Sequence, residues 1–123
     1  HIGVSNMTED ELRRAQALTA IVSIQNRYNL SDRRSESLVD LCEQEQLVFL
    51  PWAPIQELAR TAVEEVAQRH NATPRQIVLA WLLARSPSIL PIPGTGTVSH
   101  LEENVAAAGI ALAPAEVAAL TRS

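Results

Sequence analysis

No lysine occurs among the 123 residues; all ten basic residues are arginine. Any reaction that depends on a lysine ammonium is therefore beyond this chain by itself. Cys42 is the only cysteine, so no internal disulfide forms, which suits a reducing cytoplasm. Glycine numbers four, and nowhere does G-x-G-x-x-G appear. The glycine-rich turn that opens a doubly wound dinucleotide fold is thus missing, which leaves that fold as the weaker alternative. Long apolar runs are missing too. Residues 77–84 are interrupted by Trp81 and closed by Arg85 and Pro87, well short of the roughly 20 residues that span a bilayer. No basic leader is read at the start, so export is not expected and a cytoplasmic location is. The longest basic cluster is the pair Arg33-Arg34 in a chain of net charge −4, which argues against nucleic acid as a partner. No metal site is expected.

A hydrophobic content of 46% with 20% charged residues fits an ordinary soluble globular domain with one core. Ile2-Gly3-Val4 is a short apolar run, and Thr8-Glu9-Asp10-Glu11 after it is a capping box that opens a helix. The pattern then repeats. Ile21-Val22-Ser23-Ile24 is a β-branched strand, a helix is predicted over 33–46, and 47–52 reads as a third buried strand. Ala62, Val63, Val66 and Ala67 form the apolar face of one helix, and Thr73-Pro74-Arg75-Gln76 caps another. Residues 88–92 read as a fourth strand, Ser99 as the cap of a helix, and 114–120 as a last short helix.

Four apolar runs, each followed by a polar strand end and an amphipathic helix, predict parallel β/α units with both sheet faces covered. A complete eight-stranded barrel takes about 250 residues, so this α/β chain is expected to be a parallel (β/α) half barrel spanning residues 1–123 as one domain. Val4, Ile24, Phe49 and Ile92 are assigned to the barrel interior.

Functional loops of a barrel lie beyond the C-terminal ends of its strands, where Ser5, Asn6, Gln25, Asn26, Trp52 and Gly94-Thr95-Gly96-Thr97 fall. Amide side chains both donate and accept, matching a neutral carboxamide, and Trp52 offers a flat face to an aromatic ring. Together they suit a nicotinamide. Taken singly, Ser5-Asn6 also reads as a turn, Gln25 as a surface strand end and Trp52 as core. Pro93-Gly94-Thr95-Gly96-Thr97 leads into a helix N-terminus, whose free amides favour a diphosphate; a plain turn capped by Ser99 is the competing reading.

Ile2-Gly3-Val4-Ser5-Asn6, Gln25-Asn26-Arg27-Tyr28-Asn29, Pro51-Trp52-Ala53-Pro54, Ala72-Thr73-Pro74-Arg75-Gln76-Ile77 with Ala80-Trp81-Leu82-Leu83, and Leu90-Pro91-Ile92-Pro93-Gly94-Thr95 with Leu101-Glu102-Glu103-Asn104 together resemble the second half of an aldo-keto reductase. The resemblance implies a (β/α)₈ TIM barrel that reduces aldehydes and ketones with NADPH, held extended across the strand ends. It implies that Ser5, Asn6 and Gln25 bond the carboxamide, that Trp52 stacks on the nicotinamide, and that Ala53 and Ile55 line the same strand end. Pro93, Gly94, Thr95 and Gly96 would flank the phosphates, with Thr95 on the adenosine phosphate, and Glu103 with Asn104 would hold the adenine. Gly94 stands where many members have lysine, and His100 where many have the arginine that grips the 2′-phosphate. Histidine lacks the guanidinium fork, so NADP is the expected cofactor with NAD as an alternative.

The family's catalytic Asp, Tyr, Lys and His come from strands outside these blocks, so no catalytic residue is assigned, and Tyr28 is given structural work. Residues 56–62 are shorter than the family loop that often folds over the cofactor. Three readings follow: an oxidoreductase half that acts on a small carbonyl substrate only in the complete barrel, a self-assembling half barrel that binds nucleotide without turnover, and a structural module. Apolar side chains left exposed at the open edges forfeit about 1.5–3 kcal/mol each. A homodimer or a complementary N-terminal barrel half is therefore expected to cover them.

Overall fold

Thr8 accepts from the Glu11 amide at 3.3 Å, and the Glu11 carboxylate accepts from the Thr8 amide at 2.8 Å. This is the predicted capping box, and it starts α1, Glu9–Gln16. In the computed structural model, which describes residues 1–56 and 61–122, β1 (Ile2–Ser5) precedes that helix and β2 (Ile21–Gln25) follows it. Then come α2 (Glu36–Glu45), β3 (Val48–Phe49), α3 (Thr61–Arg69), α4 (Pro74–Arg85), α5 (Val98–Ala106), a 3₁₀ turn (Ala107–Gly109) and α6 (Pro114–Arg122). Residues 57–60, within the loop predicted to be short, lie outside the described residues.

Helix α4 opens on the second predicted box, with Thr73 and Gln76 bonded reciprocally and Pro74 in the first turn, where a missing amide costs nothing. Helix α2 begins three residues later than predicted. Asn29 Oδ1 accepts from the amides of Ser31 and Asp32 at 2.9 and 2.8 Å, a side-chain turn that competes with helix in the segment before Ser35. Helix α5 is also displaced from its expectation. Its N-cap is Thr97, without a side-chain bond, and Ser99 lies inside the first turn rather than capping it.

The sheet is parallel in the order β1-β2-β3. Gly3 pairs with Ser23 and Val4 with Ile24, while Ser23 pairs with Val48 and Ile24 with Phe49. Ile24 and Phe49 are fully buried and join Leu12, Val39 and Val78 in the core, with Val4 packed against it. The assignment of Val4, Ile24 and Phe49 to a barrel interior is therefore reversed. Side chains alternate between faces along a strand, and the helices cover the face that these three share. Gly3, Ser23 and Val48 occupy the opposite face, Val48 being 39% exposed. A Cβ on Gly3 would stand 2.3 Å from Ser23 Oγ, so the close approach on that open face calls for glycine.

The fourth predicted strand is reduced to one parallel bridge between Phe49 and Ile89, with the Phe49 amide on Ser88 O at 2.8 Å and the Leu90 amide on Phe49 O at 2.9 Å. Pro91 and Pro93 carry no amide hydrogen, so the ladder cannot continue through them. Strand pairing thus ends where the prolines begin, and Ile92 is 39% exposed. Beneath the sheet, Tyr28 meets Phe49 edge-on and stacks on Trp81, each pair 5.8 Å between centroids. Their polar atoms are satisfied: Tyr28 Oη donates to Glu36 at 2.8 Å and Trp81 Nε1 donates to Thr121 at 3.0 Å. Cys42 is buried in the same core, and burial raises its thiol pKa to about 11, leaving it unreactive.

Candidate functional site

The ends of β1 and β2 are joined on one backbone carbonyl, that of Gln25. Ser5 Oγ donates to Gln25 O at 2.8 Å, and the Asn6 amide donates to the same oxygen at 3.0 Å. Asn6 leaves the strand in the left-handed region, φ 54°, which asparagine adopts more readily than most residues. That turn brings its side chain to the end of β3, where Trp52 Nε1 donates to Asn6 Oδ1 at 2.9 Å. Among the described residues nothing bonds Asn6 Nδ2 or the Gln25 side-chain amide. Ser5, Asn6, Gln25 and Trp52 are thus brought to one end of the sheet.

Asn26 belongs to the support instead. It is buried, its Nδ2 donates to Met7 O at 2.8 Å and its Oδ1 accepts from the Met7 amide at 3.1 Å. Trp52 is fixed by its amide on Asn26 O at 3.0 Å and by a parallel bridge to Arg27. Ala53 follows it at φ 50°, with its carbonyl held by Asn29 Nδ2 at 2.9 Å. Ile55 is half-buried and packs against the core.

Arg27 stands beside this cluster, and sequence reasoning did not single it out. Its guanidinium lies over the Trp52 ring, 5.5 Å from the centroid, a cation–π contact. Its Nε is 3.2 Å from Asp32 Oδ2 and its Nη2 donates to Gln56 at 2.6 Å. The usable signal was the two-residue step from Gln25, which puts both side chains on one strand face.

The loop before α5 is exposed at Gly94, Thr95 and Gly96. A Cβ at Gly94 or Gly96 would meet nothing within 4 Å and neither has positive φ, so the chain's own conformation does not demand glycine; open space remains above the backbone. Thr95 Oγ1 accepts from the Thr97 amide at 3.1 Å. His100 is exposed on the first turns of α5. Glu103 ties α5 to the cap of α4: its carboxylate accepts from Thr73 Oγ1, and its carbonyl accepts from Gln76 Nε2 at 3.1 Å. Asn104 is different. It is 8% exposed, and its buried Nδ2 and Oδ1 have no partner among the described residues. It lines a groove of about 380 Å³ with Leu79, Pro93 and Leu101. Native chains seldom leave such atoms unbonded without a reason.

The Aldo/keto reductase family model matches residues 1–58 and 55–123. The chain belongs to the aldo-keto reductase family. An uncharacterized oxidoreductase of Schizosaccharomyces pombe is 44% identical over 116 residues, which cover 91% of this chain and 38% of that protein. Pyridoxine 4-dehydrogenase of Escherichia coli is 41% identical over 110 residues, covering 87% of this chain and again 38% of the relative. The crystal structure of a thermostable aldo-keto reductase, Tm1743, with the inhibitor epalrestat superposes with a TM-score of 0.92 at 35% identity, covering 99% of this chain and 47% of that one. An aldo-keto reductase of Klebsiella pneumoniae in complex with NADP and acetate superposes at 0.86 with 27% identity, over 98% of this chain and 46% of that one. This aldo-keto reductase chain therefore spans roughly two fifths to one half of the relatives it matches, and its parallel sheet with helices matches part of their fold.

Proposed function

We propose that this chain is the cofactor-binding, second half of a (β/α)₈ aldo-keto reductase barrel, four β/α units long, that uses NADPH or NADH to reduce aldehydes or ketones. The observation that carries the reading is the convergence of Ser5, Asn6, Gln25 and Trp52 at one end of the parallel sheet. Ser5, Asn6 and Gln25 would hold a carboxamide and Trp52 would receive the flat ring. Gly94, Thr95 and Gly96 would take the phosphates, and Asn104 with Glu103 the adenine. When bound, the reduced nicotinamide supplies a hydride for the carbonyl carbon.

This chain orients and shields; it does not supply the proton. It has no lysine, and its one tyrosine, Tyr28, is fully buried in the core with its hydroxyl on Glu36. The acid and its partners belong to the other part of the barrel, which would also cover the open sheet face. A second copy of this chain closing a homodimer is the rival occupant, and either assembly is proposed to work in the cytoplasm.

Calorimetric titration with NADPH and NADH tests the reading. Binding of both is expected, with little preference, since His100 cannot grip a 2′-phosphate as an arginine does. NADPH oxidation with 4-nitrobenzaldehyde should be absent for the chain alone. No nucleotide binding would favour a structural module, and robust turnover by the pure chain would overturn the division of labour.

A further inference from the structure

We infer that Arg27, stacked on Trp52, makes this site prefer the reduced, neutral nicotinamide over the oxidised pyridinium. The inference rests on the reading of Trp52 as the plate for the nicotinamide and adds to it a selectivity between the two redox states. One face of the indole is already taken: the guanidinium carbon lies 5.5 Å from its centroid. Arg27 is held there on three sides, by the parallel bridge to Trp52, by Asp32 at 3.2 Å and by Gln56 at 2.6 Å. The Trp52 ring is held in turn by Asn6 through its Nε1 hydrogen. A ligand ring would therefore have to stack on the other face.

An aromatic face attracts a cation through the negative potential of its π cloud. A guanidinium on one side draws on that potential and repels a second cation on the opposite side. Asp32 does not cancel this charge. It also receives Arg34 through two side-chain bonds, at 2.9 and 2.6 Å, so the Arg27, Arg34 and Asp32 group keeps one net positive charge. A pyridinium stacked on the free face would lie about 9 Å from the guanidinium, taking the usual ring contact of about 3.5 Å. Coulomb repulsion at that distance corresponds to roughly 2- to 20-fold in affinity for effective dielectric constants from 80 down to 20. The dihydronicotinamide ring is uncharged and escapes this penalty, so the stack favours loading of the reduced cofactor and release of the oxidised one.

The experiment is calorimetric titration of the chain with NADPH and NADP⁺, comparing dissociation-constant ratios for the unsubstituted protein, Arg27→Gln, Arg27→Lys and Trp52→Leu. The ratio should favour NADPH in the unsubstituted chain and fall at least twofold in Arg27→Gln, mainly through tighter NADP⁺. Arg27→Lys, which keeps the cation, should retain most of the preference. A ratio unchanged in Arg27→Gln, while Trp52→Leu weakens both ligands, would overturn the inference and leave the cofactor reading standing. Affinities indifferent to Trp52→Leu would overturn the reading of Trp52 and the inference with it.

Discussion

Asn104 carries opposite consequences for stability and for binding. A buried amide without partners costs on the order of 1–3 kcal/mol relative to a satisfied one, and nothing in the described structure offsets that at Asn104. Asn104→Leu fills the same volume with atoms that need no partner beside Leu79 and Leu101. It should raise the free energy of unfolding by about 1 kcal/mol while weakening ADP-ribose binding about tenfold, the loss of two hydrogen bonds to the ligand. Denaturant titration and calorimetry on the same protein check both halves. Destabilisation together with unchanged binding would mean that the amide serves the fold alone. Asn6 shows a related economy of position: its left-handed backbone places its side-chain oxygen on Trp52 and leaves its side-chain nitrogen unbonded among the described residues.

Between elements, a few polar side chains do the joining. Arg85 at the end of α4 pairs with Glu36 and Asp40 on α2, and Glu36 also accepts from Tyr28, so two helices and the strand end of β2 share one group. Elsewhere, Glu116 at the start of α6 meets His70 at 2.8 Å and Arg69 at 3.2 Å, and also accepts from the Ala113 amide at 3.0 Å. Hydrogen bonding to His70 first, and then to that amide, lowers its pKa from the ordinary glutamate value to about 2. Because the folded value lies below the unfolded one, the contribution is complete above the unfolded glutamate value and disappears as pH falls toward about 2. Melting temperature should therefore drop through that interval, and Glu116→Gln should flatten the drop while lowering stability near neutral pH. Thermal melts in citrate and phosphate buffers across the range would show it; parallel profiles for the two proteins would count against this contact.

At the scale of the whole molecule, one sheet face is covered and the other is not. Val48 and Ile92 are each 39% exposed and Leu90 is 55%. Covering what remains exposed would gain about half of the usual 1.5–3 kcal/mol for each side chain, roughly 1 kcal/mol apiece, against a usual total stability of about 5–15 kcal/mol. Association is the expected response, with a second copy or with the remaining barrel half. Light scattering with denaturing mass analysis of the same sample separates the two. Leu90→Glu with Ile92→Glu should reduce the assembled fraction at least tenfold without loss of helical circular dichroism. A well-folded monomer before substitution, with β1 and residues 88–92 open to water, would refute the expectation.

Local chemistry was legible from the sequence wherever a few neighbouring residues decide the outcome. The boxes at Thr8 and Thr73, the β-branched strand at Ile21, the parallel β/α order and the ring of Ser5, Asn6, Gln25 and Trp52 at one strand end all rest on short-range patterns. The half-barrel reading extended this to a fourth strand, where Pro91 and Pro93 instead limit pairing to Ile89. Three things were decided only by tertiary structure. The covered face belongs to Ile24 and Phe49 because alternation tells that two faces exist, but packing against helices tells which one is buried. Arg27 reaches Trp52 because parallel registry sets side by side two residues that are far apart in the chain. Asn104 is left without partners because α4, α5 and the segment at Pro93 close around it, and desolvation of a polar group exists only once distant segments have come together.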